Sequence, residues 1–139
     1  MIASRKLEDL HPKVADLARA FITACEQRGI EVLVTSTYRD IESQNALYAQ
    51  GRTSPGKIVT KAKGGQSFHN YRVAFDFVPL VNGKPCWDDE ELFKKCGGIA
   101  EEVGLEWAGN WVSFKEMAHC QYTGGLDLAD FKAWKTLDG

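Results

Sequence analysis

At 139 residues, with 44% hydrophobic and 11% aromatic side chains, the chain has material for one domain around one core. A net charge of −2 gives no basic footprint for nucleic acid or an anionic surface. No stretch approaches the ~18 continuous apolar residues that span a bilayer, and Met1-Ile2-Ala3-Ser4-Arg5-Lys6 has no apolar core, so a chain made in the cytosol without a secretory signal is expected.

Pro12 opens a helical pattern in which Val14, Leu17, Ala18, Phe21 and Cys25 share a face, with Gly29 as its stop and His11 as a cap or surface residue. Ile30 to Tyr38 has extended, β-branched character. Asp40 can cap a second helix that runs to about Gln50 and ends at Gly51. Arg52 to Gln66 has little periodicity and reads as a long loop, a length often tied to function. Val73 to Val81 is a strong strand, with Val73, Phe75 and Phe77 on one side and Ala74, Asp76 and Val78 on the other. Asn82-Gly83 then signals a hairpin, so Lys84 to Trp87 should pair back. Asp88 with Glu91 has the form of a capping box for a helix whose apolar face is Leu92, Phe93, Cys96, Ile99, Ala100 and Val103, weakened at Gly97-Gly98.

Leu105 to Trp107 and His119 to Tyr122 read as short strands. Asp127 should start a last helix to about Thr136, with Leu128, Phe131 and Trp134 inward. The expected fold is α+β, a small antiparallel sheet flanked by about four helices, with residues 1–139 forming one domain and no second domain. Cys25, Cys86, Cys96 and Cys120 show no ligand spacing and are expected to be buried, reduced thiols. Cys120 should face away from its neighbour His119, because adjacent strand residues point to opposite faces.

Two stretches carry the chemistry: Ser67-Phe68-His69 running on to Asp76, and Glu116-Met117-Ala118-His119. A lone Asp inside an apolar strand is costly to bury without a partner, and a cation would resolve that cost. His69, Asp76 and His119 would supply three ligands of a tetrahedral zinc site with one position left for water, and Glu116, three residues before His119, would be the general base. The same side chains could instead form a metal-free hydrogen-bonded core network.

Ser67-x-His69-x6-Asp76 followed by Glu116-x-x-His119 resembles the zinc D-alanyl-D-alanine carboxypeptidase family, which includes phage and bacterial L-alanyl-D-glutamate endopeptidases. Ser36-Thr37-Tyr38-Arg39, the stretch Gln44 to Thr53, Lys63 to Ser67, and Gly104 to Trp107 on to Trp111-x-Ser113-Phe114-Lys115 are similar to the endolysin branch. In all, the likeness runs from about Val32 to Tyr122. It implies a hedgehog-like peptidase fold, one zinc ion per chain on His69, Asp76 and His119, Glu116 as base, and Arg39 stabilising the oxyanion. It implies Ser67 as a pocket residue. Gln44 is either a pocket residue or a helix-surface one. Two positions depart from the family pattern: Arg72 stands where Gly is common, and Ala118 where Pro is. Arg72 could shift the strand entry or line the substrate cleft.

The resemblance implies a monomeric endolysin cleaving the L-alanyl-D-glutamate bond of the peptidoglycan stem peptide, reaching the wall after the membrane is permeabilised. Two other readings stay open. One is a D-alanyl-D-alanine carboxypeptidase or dipeptidase, with Arg72 or Arg52 holding the terminal carboxylate. The other is a zinc-stabilised binding module without turnover.

Overall fold

A computed structural model describes residues 1–112 and 115–138; Ser113 and Phe114 of the endolysin-like stretch lie outside the described residues. In chain order the elements are α1 (Pro12–Gln27), β1 (Glu31–Ser36), α2 (Ile41–Ala49), β2 (Ala74–Val81), β3 (Lys84–Pro85), α3 (Glu90–Glu102), β4 (Glu106–Trp107), β5 (His119–Gln121) and α4 (Leu128–Lys132), with single 3-10 turns at Leu7–Asp9, Phe68–Tyr71 and Ala108–Asn110. The sheet is antiparallel in the order β1-β2-β5-β4, and β3 pairs with the far end of β2. This is the expected α+β arrangement.

The core lies between the sheet and the α1/α3 layer. Phe21 of α1 meets Phe75 and Phe77 at ring-centroid distances of 6.0 and 5.0 Å, and Phe93 of α3 meets Phe77 at 5.6 Å. Cys25, Cys96 and Cys120 are buried in this layer as free thiols, while Cys86 beyond β3 is only partly buried, and burial raises the Cys120 thiol well above its ordinary range. The opposite face of β2 carries Asp76. Across the ladder Asp76 pairs with Ser36 on one side and His119 on the other, so three strands set these residues abreast. A bulge between Val34 and Ser36 brings Ser36 into that row.

Helix starts follow local chemistry. His11 Nδ1 accepts from the Lys13 amide at 3.1 Å, and Asp40 accepts from the Ser43 amide at 2.8 Å. Three expectations need correction. The cap of α3 is Asp89, which accepts from the Leu92 amide, and not Asp88. The β3 ladder stops at Pro85, with only the Cys86 amide reaching Pro79 beyond it. Finally, α4 ends at Lys132; Trp134 has φ +68°, which throws it off the helical face and leaves it 91% exposed.

Gly97 does not break α3, because its missing side chain is occupied space. A Cβ there would lie 2.1 Å from Trp107 Cδ2, and one on Gly109 would lie 2.1 Å from Trp107 Cζ2. The indole is held between two glycines. Its Nε1 donates to the Met117 carbonyl at 2.8 Å, which fixes the segment between Glu116 and His119.

Candidate metal centre

The site is assembled from four places. His69 sits in the 3-10 turn Phe68–Tyr71, which Ser67 caps by accepting from the His69 amide at 3.2 Å. Asp76 stands in mid-β2, His119 begins β5, and Glu116 opens the turn before it, with the His119 amide donating to the Glu116 carbonyl at 3.3 Å.

Each histidine has one ring nitrogen engaged by an acceptor. His69 Nδ1 lies 2.7 Å from the Thr37 carbonyl, which only accepts, so this nitrogen carries the proton. His119 Nε2 lies 2.8 Å from Gln121 Oε1 and donates in the same way. The remaining nitrogens face one oxygen: His69 Nε2 is 3.3 Å and His119 Nδ1 is 3.4 Å from Asp76 Oδ1. Three lone-pair atoms that converge without a shared donor call for a cation. These separations match the ~3.3–3.4 Å edges of a tetrahedron with ligand bonds of about 2.0–2.1 Å. All three ligand atoms lie within 4.8 Å of one another. The residues therefore fit a zinc-sized ion.

Without an ion, the electrostatics describe the same three groups with protons in place of a cation. Burial would raise the Asp76 pKa, but the two imidazoles beside it hold its carboxyl far below the usual range. Burial pushes His69 down. For His119 burial also acts downward, yet the bonds to Asp76 and Gln121 and the charge of Glu116 outweigh it, and its pKa is raised. Because the Asp76 pKa is lower in the folded chain, its contribution to ion-free stability is present above the ordinary value of 3.8 and is lost as pH falls through and below it. Asp76→Asn should flatten the acid limb of the ion-free melting temperature against pH, as measured by calorimetry.

Arg39 lies behind Asp76. Its guanidinium donates to Asp76 Oδ2 at 3.2 Å, to Gln44 Oε1 at 2.7 Å and to Ser36 Oγ at 3.2 Å. Asp76 thus offers one oxygen to the histidines and the other to Arg39. Gln44 is wholly buried, which rejects the helix-surface alternative; its Nε2 donates to the Ala62 carbonyl at 2.8 Å and contacts Thr60 Oγ1 at 3.4 Å. Glu116 is half-exposed, with Oε2 3.6 Å from His119 Nδ1.

Arg72 is directed elsewhere. It adopts φ +65°, a left-handed conformation that glycine takes more readily, and its guanidinium donates to the Asp9 carbonyl at 2.7 Å and lies 3.9 Å from the Tyr38 ring centroid. Those contacts do not put it in the cleft. Arg52 is exposed and stacks on Tyr48 at 3.9 Å.

The roles of four contributors went unread in the sequence, although Thr37, Trp107 and Trp111 stand in stretches that carry the resemblance. Gln121 follows His119 by two on a strand, a spacing that signals a shared face. The Thr37 carbonyl and the Trp107 indole leave no such signal, since their partners are distant in the chain. Trp111 also belongs here, its ring centroid 5.6 Å from that of His119.

A family profile described as VanY, D-alanyl-D-alanine carboxypeptidase, matches residues 7–124. The chain is 40% identical over 122 residues to the peptidoglycan L-alanyl-D-glutamate endopeptidase CwlK of Bacillus subtilis (strain 168), covering 81% of this chain and 73% of that protein. It is 32% identical over 126 residues to the L-alanyl-D-glutamate peptidase of Listeria phage A118, covering 86% of this chain but 41% of the phage protein. Among solved structures, the fold is shared with the D,D-pentapeptidase VanY of a VanB-type resistance cassette in complex with Zn(II), at TM-score 0.63 and 15% identity, covering 88% of this chain and 83% of that one.

Proposed function

The chain belongs to the VanY family of D-alanyl-D-alanine carboxypeptidases, and on that premise we propose that it is a zinc-dependent peptidoglycan hydrolase that cleaves the L-alanyl-D-glutamate bond of the stem peptide. The observation that carries this reading is the convergence of His69 Nε2, Asp76 Oδ1 and His119 Nδ1, with the Glu116 carboxylate beside them. The choice of bond rests on the two curated relatives, whose names specify it.

His69, Asp76 and His119 would hold the zinc ion, which when bound lowers the pKa of a water and polarises a carbonyl. The residues of the chain do the rest. Glu116 takes a proton from the attacking water and returns it to the leaving amine. Arg39, fixed by Gln44, Ser36 and Asp76, presents a positive charge to the oxygen that becomes negative as the carbonyl is attacked. Thr37 and Gln121 hold the two imidazoles in the tautomers that leave the inward nitrogens free. Ser67 acts by capping the turn that carries His69. We assign Arg72 no substrate contact, which weakens the carboxypeptidase alternative that called on it. The chain is read as a monomeric catalytic domain acting on the cell wall; no helix among the described residues is long and apolar enough to cross a membrane.

Digestion of purified peptidoglycan followed by mass analysis tests the bond. New N-terminal D-glutamyl peptides are expected, with activity lost to a chelator and restored by zinc. Release of terminal D-alanine with the L-alanyl-D-glutamate bond intact would overturn the assignment.

A further inference from the structure

The loop of residues 52–66 concentrates charge that the rest of the chain lacks. It holds Arg52, Lys57, Lys61 and Lys63 and no Asp or Glu, a balance of +4. With a chain total of −2, the other residues sum to −6. Arg52, Lys57 and Lys63 are exposed, and none of the three is paired with a carboxylate among the described residues. Arg52 and Lys63 both lie over the Tyr48 ring, at 3.9 and 5.5 Å. A solvated charged face is the ordinary fate of such a loop, but this one is tied to the site.

Its fastenings are specific. Gln50 Nε2 donates to the Lys57 carbonyl at 3.0 Å, and the Gly64 amide donates to Asn45 Oδ1 at 2.8 Å. Beyond it, the Gly65 amide donates to Asn70 Oδ1 at 2.9 Å and Tyr71 Oη donates to the Gly65 carbonyl at 2.7 Å, on the turn that carries His69. In the middle, Gln44 bonds Ala62 with its amide nitrogen while its oxygen holds Arg39. One buried side chain therefore separates the loop from the guanidinium behind Asp76. Gly64 could not carry a side chain here, because a Cβ would lie 2.6 Å from Ile41 Cγ2 and the Ile41 carbonyl.

We propose that this loop is an anion-receiving wall of the substrate cleft, in which Arg52, Lys57 and Lys63 draw in the free carboxylates of the stem peptide. The inference deepens the proposed function and rests on it. A glutamyl residue in a linear chain spends one carboxyl on the next peptide bond, so where the other is not amidated a peptide cut beside glutamate offers an anion close to the scissile bond. Surface cations around a cleft raise the encounter rate of such a substrate, and salt screens the effect.

The test compares an R52Q/K57Q/K63Q variant with parent, and with K84Q/K94Q/K95Q on β3 and α3 as a charge-matched control. A soluble stem peptide is used in free-carboxylate and carboxamide forms, from low to high salt. For the loop variant we expect KM on the free-carboxylate peptide to rise about tenfold at low salt, within the range for steering. Its kcat should stay within about twofold, the gap to parent should close at high salt, and the carboxamide peptide should not distinguish the two. An unchanged KM, an equal rise in the control, or an equal rise on the carboxamide peptide would each overturn the proposal, the last by showing that the loop does not act on the substrate's carboxylates. The identity of the products is read in the same assay. If terminal alanine is released, the bond assignment fails while the KM comparison still judges the loop.

Discussion

Glu116→Gln is expected to bind zinc at the parental one ion per chain and to lose roughly 10²–10⁴-fold in kcat on peptidoglycan, the usual worth of a positioned acid–base group. Its carboxylate lies 3.6 Å from His119 Nδ1 and stays half-exposed, while the inward-facing atoms of His69, Asp76 and His119 are separate from it. Removing the charge should therefore strip the proton acceptor and leave the metal ligands in place. Elemental analysis and muropeptide release, measured on the same preparation, check both halves. Parental lysis by this variant would move the base to another residue and revive the view of a binding module. Loss of zinc would make Glu116 a ligand instead.

The second large effect concerns folding. Gly97→Ala is expected to lower stability by about 1–3 kcal/mol, because the new Cβ would fall 2.1 Å from Trp107 Cδ2 and the ring cannot retreat toward Gly109. For a domain of this size that is a fall in melting temperature of roughly 3–15 °C. Gly98→Ala, one residue on, makes the comparison sharp. It is exposed, has nothing within 4 Å of its would-be Cβ, and should gain about 0.5–1 kcal/mol from better helix propensity. Thermal unfolding of the pair separates a packing role from generic helix weakness. Equal shifts of one sign would show that the indole does not depend on Gly97. Displacing the ring also loosens the Met117 carbonyl, so the Gly97 variant should lose activity below its melting temperature.

Much of this architecture was legible because its signals are local. Pro12 after His11, Asp40 before α2, and Asn82-Gly83 each act on atoms within a few residues, and each element begins or turns where those residues lie. Asp76 was legible for a different reason: a carboxylate in an apolar strand demands a partner, and His69 and His119 were the partners at hand. Signals that depend on distant atoms did not show. Gly97 looked like a weak point because the Trp107 ring that fills its place arrives from β4. Gln44 looked as much like surface as interior until Arg39 and Ala62 closed around it. Trp134 fitted a helical stripe by spacing alone, but its positive φ takes it off that stripe. The Asp88 reading missed by one residue, since Asp88 and Asp89 are chemically alike and only geometry selects which one caps.

The pairing of Asp76 with Arg39 has a bearing on how the molecule matures. A guanidinium already balances that carboxylate from behind, and the neighbouring imidazoles have fixed protons on their outer nitrogens. The buried carboxylate is thus compensated before any ion arrives, and closing the sheet around it leaves no unpaired charge at Asp76. On the proposed function, acquiring shape and acquiring activity become separate events: the sheet can close around an ion-free corner, and the ion would then supply the chemistry.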